Sequence, residues 1–505
     1  MITFLVSLLL LVLGYFIYGS FVERMFGADS NRPTPCQTLN DGVDYESMPT
    51  WRVYLIQFLN IAGTGPIFGA IQGILFGPGA YIWIVLGCIF GGAVHDYLSG
   101  MISLRKNGAS LPEIVGDEIG TYARNTMRVC ALILMILVGA AFTTAPAGLL
   151  ANMFADEGGM DGTFVANSMV WLFIILAYYF LATLLPIGKI IGRIYPVFGV
   201  AMLIMAVAVF GVIFFEPGNI PEVTGAFDVT HPASTLPALP GLCITIACGA
   251  VSGFHATQSP MMARCLNNEK HGRPVFYGAM VTEGVMALIW CAASIKFADA
   301  LDLSTIHFAA DYNVTTDTPY GRLWAVMTNG GNSNPNPAIV VKELCSSWLG
   351  VIGTILVILG IVAAPITTGD TAFRSARLIV SDMLHIEQKT LWKRIAVALP
   401  IFAASTVLMF VRFDILWRYL FWFNQDLSVI TFWAITVYLA RKQKAWIVTM
   451  IPAMWMSWAC LAYILVAPEG FQLSSLIANT AGVAFAVLLA ANFLYWYYKI
   501  YKKQG

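Results

Sequence analysis

Thirteen separate runs of predominantly apolar residues, each long enough to cross a bilayer, dictate most of what this chain can become. A hydrocarbon core of about 30 Å needs about 20 apolar residues per helix. The runs span 2–22, 53–75, 80–102, 128–151, 167–186, 194–215, 238–260, 274–298, 339–366, 393–411, 415–440, 445–467 and 474–498. Lipid offers no partner to a backbone N–H or C=O, so each run folds as a helix that satisfies itself. Composition agrees: 58% of the 505 residues are hydrophobic and 11% are charged, against about 25% charged in a soluble chain. An all-α polytopic membrane protein with about 13 transmembrane helices follows. The formal net charge of zero supplies no field for nucleic acid, so lipid and a small molecule are the expected partners.

The first run has no basic segment ahead of it and no small-residue cleavage pattern behind it, so it reads as a retained helix. Positive charge retained on the cytoplasmic side orients the bundle. All but Lys296, Arg322, Lys342, Arg412 and Arg418 of the 28 Lys and Arg residues fall in alternate loops and the C-terminal tail. The N-terminus is therefore expected outside and the C-terminus in the cytoplasm. The segment 366–392 is too polar to span alone and is placed as the end of the ninth helix plus an inner-face linker. The outer loops 152–166, 216–237 and 299–338 read as irregular caps, and no segment is long enough for a separate catalytic domain.

Gly/Pro clusters at mid-depth imply unwound backbone that faces protein or water. The second helix carries Asn60-Ile61-Ala62-Gly63-Thr64-Gly65-Pro66, and the seventh carries Gly249 to His255 with Pro260 beyond. Five helices apart and oppositely directed, they fit an inverted 5+5 repeat of helices 2–6 and 7–11. The expected divisions are 1–52, an N-terminal helix and cytoplasmic loop; 53–215 and 216–440, the two repeats; and 441–505, two C-terminal helices and a tail. Freed amides attract an anionic group and freed carbonyls a cation. The expected substrate site is Asn60, Gly63, Thr64, Gly65, Ser252, Gly253, Phe254, His255 and Gln258.

Ionisable residues at membrane depth are expensive and are functional candidates by default. They are His95, Asp96, His255, Glu283, Asp370 and Asp426. His255 adjoins the second break, and imidazole titrates near neutrality; with Glu283, His95 and Asp96 it makes a candidate proton relay. His95 and Asp96 are adjacent on a helix and point about 100° apart, so they need not touch each other. Thr367, Thr368 and Asp370 gather oxygen ligands after Pro365, and with carbonyls of Ala62 and Gly65 they make a candidate site for a coupling cation such as Na⁺. The nine cysteines form no CxxC or CxxH pair and read mostly as packing residues. With no zinc spacing and no Walker loop, no metal, no cofactor and no ATP drive are expected.

Several stretches carry a resemblance: DGVDY (Asp41 to Tyr45), NIAGTGPIFG (Asn60 to Gly69), SLRKNGASLPEIVG (Ser103 to Gly116), TIACGAVSGFHATQSP (Thr245 to Pro260) and TTGDTAFRSAR (Thr367 to Arg377). Together they resemble the carbon starvation protein A family over roughly residues 35–385. That resemblance implies a bacterial inner-membrane protein of the starvation response that imports peptides, or pyruvate with protons, on a LeuT-like fold. It implies substrate at the breaks of helices 2 and 7, and a sodium ion aided by the inner end of helix 9. The functional expectation is a secondary transporter importing a small carboxylate-bearing nutrient by H⁺ or Na⁺ symport through alternating access. A channel or membrane nutrient sensor is the alternative. An enzyme is not expected, because no nucleophile-base or paired-carboxylate pattern is present.

Overall fold

A computed structural model describes residues 1–152, 154, 163–184, 191–224, 226, 229–310, 312–332, 335–357, 360, 362–411 and 413–501. Arg412 and most of the expected outer loop 152–166 lie outside the described residues. The helices that build the spans and their core are α1 (Ile2–Phe26), α2 (Thr50–Ala62), α3 (Gly65–Gly73), α4 (Gly79–Leu86), α5 (Ala93–Arg105), α6 (Thr121–Asn152), α7 (Ser168–Leu184) and α8 (Ile191–Val212). They continue with α9 (Ala238–Thr245), α10 (Gly253–Ala263), α11 (Ala279–Asp299), α12 (Pro337–Val357), α13 (Ala363–Leu384), α14 (Leu391–Leu408), α15 (Phe413–Arg441), α16 (Ile447–Val466) and α17 (Ser475–Tyr495).

Nine helices among the described residues are long and apolar enough to cross a membrane, and the bent pair α2–α3 makes a tenth. The chain is an all-helical, multi-pass membrane protein. The expected segments 167–186, 238–260 and 415–440 are also helical over α7, α9 with α10, and α15. Burial sorts the spans: the most apolar stretch is 83% buried in Gly79–Arg105 and 89% in Glu269–Asp299, but 28% in α1 and in Ser475–Lys499. The first pair forms the centre, and the last pair lies at the periphery with apolar side chains turned outward. Thus α11 packs on α2 and α3, while α10 packs on α2, α5 and α15.

Both expected interruptions are present. Between α2 and α3 the chain bends by 42°, and Gly63 takes φ 46°, ψ −137°, a conformation that suits glycine. Between α9 and α10 the segment Ile246–Ser252 leaves the helix, and Ser252 is extended. The segment 366–392 differs from expectation. Its helix runs on to Leu384, leaving 385–390 as linker, and α12 kinks at Gly350 instead. The polar side chains counted against that helix are buried, with protein partners in place of water or lipid.

Candidate functional site

Unwinding the seventh span strands polar backbone groups, and two neighbouring side chains of α15 take them up. The Gln425 side-chain amide donates to the carbonyls of Cys243 (3.0 Å) and Val251 (2.9 Å). Asn424 Oδ1 accepts from the Phe254 N–H (2.6 Å) and the Ser252 hydroxyl (3.1 Å). Gln425 thus serves the carbonyl side of the break and Asn424 the amide side. Gly253 lets α15 come this close: a Cβ there would lie 2.3 Å from the Asn424 carbonyl oxygen. At the other break, the Thr368 hydroxyl meets the carbonyls of Leu59 (3.1 Å) and Ala364 (3.0 Å), and a Cβ on Gly63 would lie 2.9 Å from it.

The two breaks meet at a cavity lined by Ala62, Gly65, Cys248, Phe254, Thr368 and Asn424, among others. Beside it is a buried chain of four ionisable side chains. Asp96 on α5 bonds His95 Nδ1 through one oxygen (2.9 Å) and His255 Nδ1 through the other (2.8 Å). The second ring nitrogen of His255 lies 3.5 Å from the Glu283 carboxylate on α11. All four side chains have no exposed surface. His255 Nδ1 is hydrogen-bonded to Asp96, whereas its other nitrogen and both Glu283 oxygens make no hydrogen bond among the described residues although they lie close together. His95 also packs 5.0 Å from the Phe432 ring.

The structure therefore brings His95, Asp96, His255 and Glu283 together across three helices. His95 and Asp96 do touch, because a carboxylate with two oxygens serves the imidazole beside it and the one on α10. Cys248 Sγ, a His255 ring nitrogen and a Glu283 oxygen lie within 4.8 Å of one another. That spacing also describes a hydrogen-bonded cluster, and no metal is assigned to it. Asp426 stands apart, facing Cys460 on α16.

The expected substrate residues divide. Gly65 and Phe254 line the cavity, and Gly63 and Ser252 are held at the breaks by Thr368 and Asn424. Asn60 and Thr64 are buried with side-chain atoms that meet no partner among the described residues. Gln258 turns towards Thr257 (3.2 Å) and Ser375 (3.2 Å). Of the expected cation set, Ala62, Gly65 and Thr368 share the cavity. Thr367 bonds the Ala364 carbonyl of its own helix (2.7 Å), and Asp370 accepts from the Tyr195 hydroxyl.

Asn424 and Gln425 were not among the residues singled out from sequence, and Asp44 entered there only within the stretch DGVDY. The adjacent amides Asn424-Gln425 inside an apolar run were the available signal. Asp44, in the loop between α1 and α2, contacts Arg374 and Arg377 of α13 at 3.3 Å. Burial alone would push its carboxyl up, but Arg377, Arg374 and Arg264 together hold it down at about 2, against an ordinary 3.8.

Interrupted spans with ionisable side chains buried at the interruption define a class of membrane protein that handles polar solutes at mid-depth. Residues 1–157 and 145–320 match the family model for carbon starvation protein CstA, and the chain belongs to that family. An uncharacterized membrane protein of Haemophilus influenzae is 44% identical over 341 residues, 59% of this chain and 91% of that one. The Bacillus subtilis peptide transporter CstA is 30% identical over 348 residues, 58% of either chain. The Escherichia coli pyruvate/proton symporter BtsT is 28% identical over 340 residues, 56% of this chain and 47% of that one. The match thus spans about half the length of these named transporters. Among solved structures, an Eremococcus coleocola manganese transporter covers 91% of this chain and 98% of its own, with 12% identity and a TM-score of 0.49.

Proposed function

We propose that this chain is a secondary active transporter of the bacterial inner membrane that imports a small carboxylate-bearing nutrient, a short peptide or a 2-oxo acid such as pyruvate, by proton symport. The observation that carries the reading is His255 held between Asp96 and Glu283 beside the meeting point of two broken spans. A buried imidazole with a carboxylate at each nitrogen can take up a proton and pass it on through small shifts of hydrogen bonds. Asp96 also fixes the orientation of the ring, with His95 holding its other oxygen.

Substrate binds between the breaks, against Gly65, Phe254, Thr368 and Asn424, where a cavity of about 20 Å³ widens to admit it. Protonation of the cluster and binding of substrate favour the same conformations, so the proton gradient biases the alternation between outward and inward access. Proton is preferred to Na⁺ because Thr367 and Asp370 bond elsewhere, leaving three of the five expected cation residues at the cavity. The relative named as a proton symporter supports the same choice. The alternation follows a LeuT-like 5+5 repeat over 53–215 and 216–440, with the N-terminus outside and the C-terminus in the cytoplasm.

Uptake of labelled pyruvate and dipeptides into liposomes holding the purified protein tests the reading, with pH and Na⁺ gradients imposed separately. Accumulation driven by the pH gradient alone is the expected result. Uptake indifferent to pH, or driven by Na⁺ alone, contradicts it.

A further inference from the structure

The span Gly79–Arg105 carries two unlike ridges where it passes the broken seventh span. One is nearly bare: Gly79, Gly87 and Gly91 stand four or eight residues apart, with Trp83 between the first two. The other is bulky, with Ile82, Leu86 and Phe90 at the same spacing, and residues four apart lie one above the other on a helix face. The bare ridge lets the break come close. A Cβ on Gly87 would lie 3.0 Å from the Ala250 Cβ, and one on Gly91 would lie 2.6 Å from Val251 Cγ2.

Between these ridges and α16 runs an apolar groove of about 320 Å³, within the roughly 300–1,000 Å³ of small-molecule sites. Leu239 and Leu242 of α9, Val251 of the unwound segment, and Ile451, Trp455 and Met456 of α16 line its other sides. Among the described residues, every one that lines it is glycine or apolar. Its rim is lipid-facing surface, because Leu86, Phe90 and Ile451 are exposed on spans that cross the hydrocarbon. From Gly79 to Gly91 the lined stretch is about 18 Å long at about 1.5 Å per residue, close to the roughly 15 Å that the chains of one leaflet occupy. A groove of that length, open to hydrocarbon and without a polar group to orient a solute, fits one extended acyl chain. Lipid tails are as apolar as the groove, so entry is not driven by escape from water. Dispersion contact with walls on several sides holds the chain, and an unfilled groove forfeits those contacts.

We propose that this groove binds one acyl chain of a membrane phospholipid, which becomes the back wall of the break in the seventh span. Trp83 makes the connection. Its ring stacks 6.3 Å from that of Trp455, and its N–H donates to the carbonyl of Ile246 (3.0 Å), the first residue of the unwound segment. Val251 lines the groove while its carbonyl accepts from Gln425 (2.9 Å). The chain therefore touches two of the residues whose hydrogen bonds hold the break open, whatever solute the protein carries.

The test uses the full-length protein in liposomes containing phosphatidylcholine with a photoreactive diazirine midway along one chain, and maps the labelled residues by mass spectrometry. Trp83 and Val251 are 8% and 1% exposed, so lipid that only coats the protein does not reach them. Wild type should be labelled at both, as well as at the exposed Leu9 and Ile17 of α1. Ile82→Trp fills the groove and should lose the labels at Trp83 and Val251 while keeping those on α1. Should that variant fail to fold, Ile451→Trp, at an exposed rim position, should show the same loss. Wild-type labels confined to outward-facing residues, or labels at Trp83 and Val251 that persist in the folded variants, overturn the proposal. An unlabelled groove accompanied by cross-links between two copies of the chain overturns it as well, and makes this face an interface instead.

Discussion

Asp44→Asn removes one negative charge from a buried cluster while keeping the shape of the side chain, so its cost can be worked from the ionisation of the native group. Burial opposes the charge on Asp44, and the three arginines more than compensate, holding the carboxyl at about 2 against an ordinary 3.8. At about 1.36 kcal/mol per pH unit, the ionised form contributes about 2 kcal/mol to the folded chain. The folded value is depressed, so this contribution is fully present above the unfolded value near 4 and disappears as pH falls through the folded value near 2. Reversible unfolding in mixed micelles of rising SDS content, followed by tryptophan fluorescence, measures it. At pH 7 the variant should be less stable than wild type by about 2 kcal/mol, the contribution of the lost charge. The gap should hold down to about pH 5 and then narrow towards pH 2. No gap at pH 7, or a gap of the same size at pH 3, would refute the reasoning.

Three other outcomes follow from the site. Glu283→Gln should lower gradient-driven accumulation at least about tenfold, or 1.4 kcal/mol, while substrate counterflow without a gradient persists; equal losses in the two assays would make Glu283 a structural residue. Asn424→Ala strands the Phe254 N–H and the Ser252 hydroxyl, at about 1–3 kcal/mol for each buried group; a variant that melts with wild type would show the break to be held otherwise. Dialysis against EDTA should leave uptake unchanged, because the cluster of Cys248, His255 and Glu283 carries protons in this account; a loss restored by added Zn²⁺ would make it a metal site instead.

The breaks were legible because Gly63-Thr64-Gly65-Pro66 and Gly249 to Gly253 have no reason to be continuous helix. Each member of the ionisable cluster was legible singly, since charge at membrane depth stands out. Their meeting was not, because it depends on the packing of α5, α10 and α11. The oxygen-rich run at Thr367 to Asp370 is compact in sequence but divided in the fold. Residues 368 and 370 are about 200° apart on a helix, so Thr368 faces the break of the second span while Asp370 faces Tyr195. The length of α13 was hidden for a related reason: its arginines looked incompatible with burial until Asp44, 330 residues away from Arg374, came into view. A loop aspartate is ordinary in sequence, and only the fold gives it partners.

The central claim is that protons enter with substrate by way of the cluster around His255. Liposomes holding the protein and an internal pH dye, with no gradient imposed, receive pyruvate or a dipeptide from outside. Wild type should acidify the interior as substrate enters, and folded His255→Ala should not. Substrate entry without acidification, or equal acidification by the variant, would contradict the account.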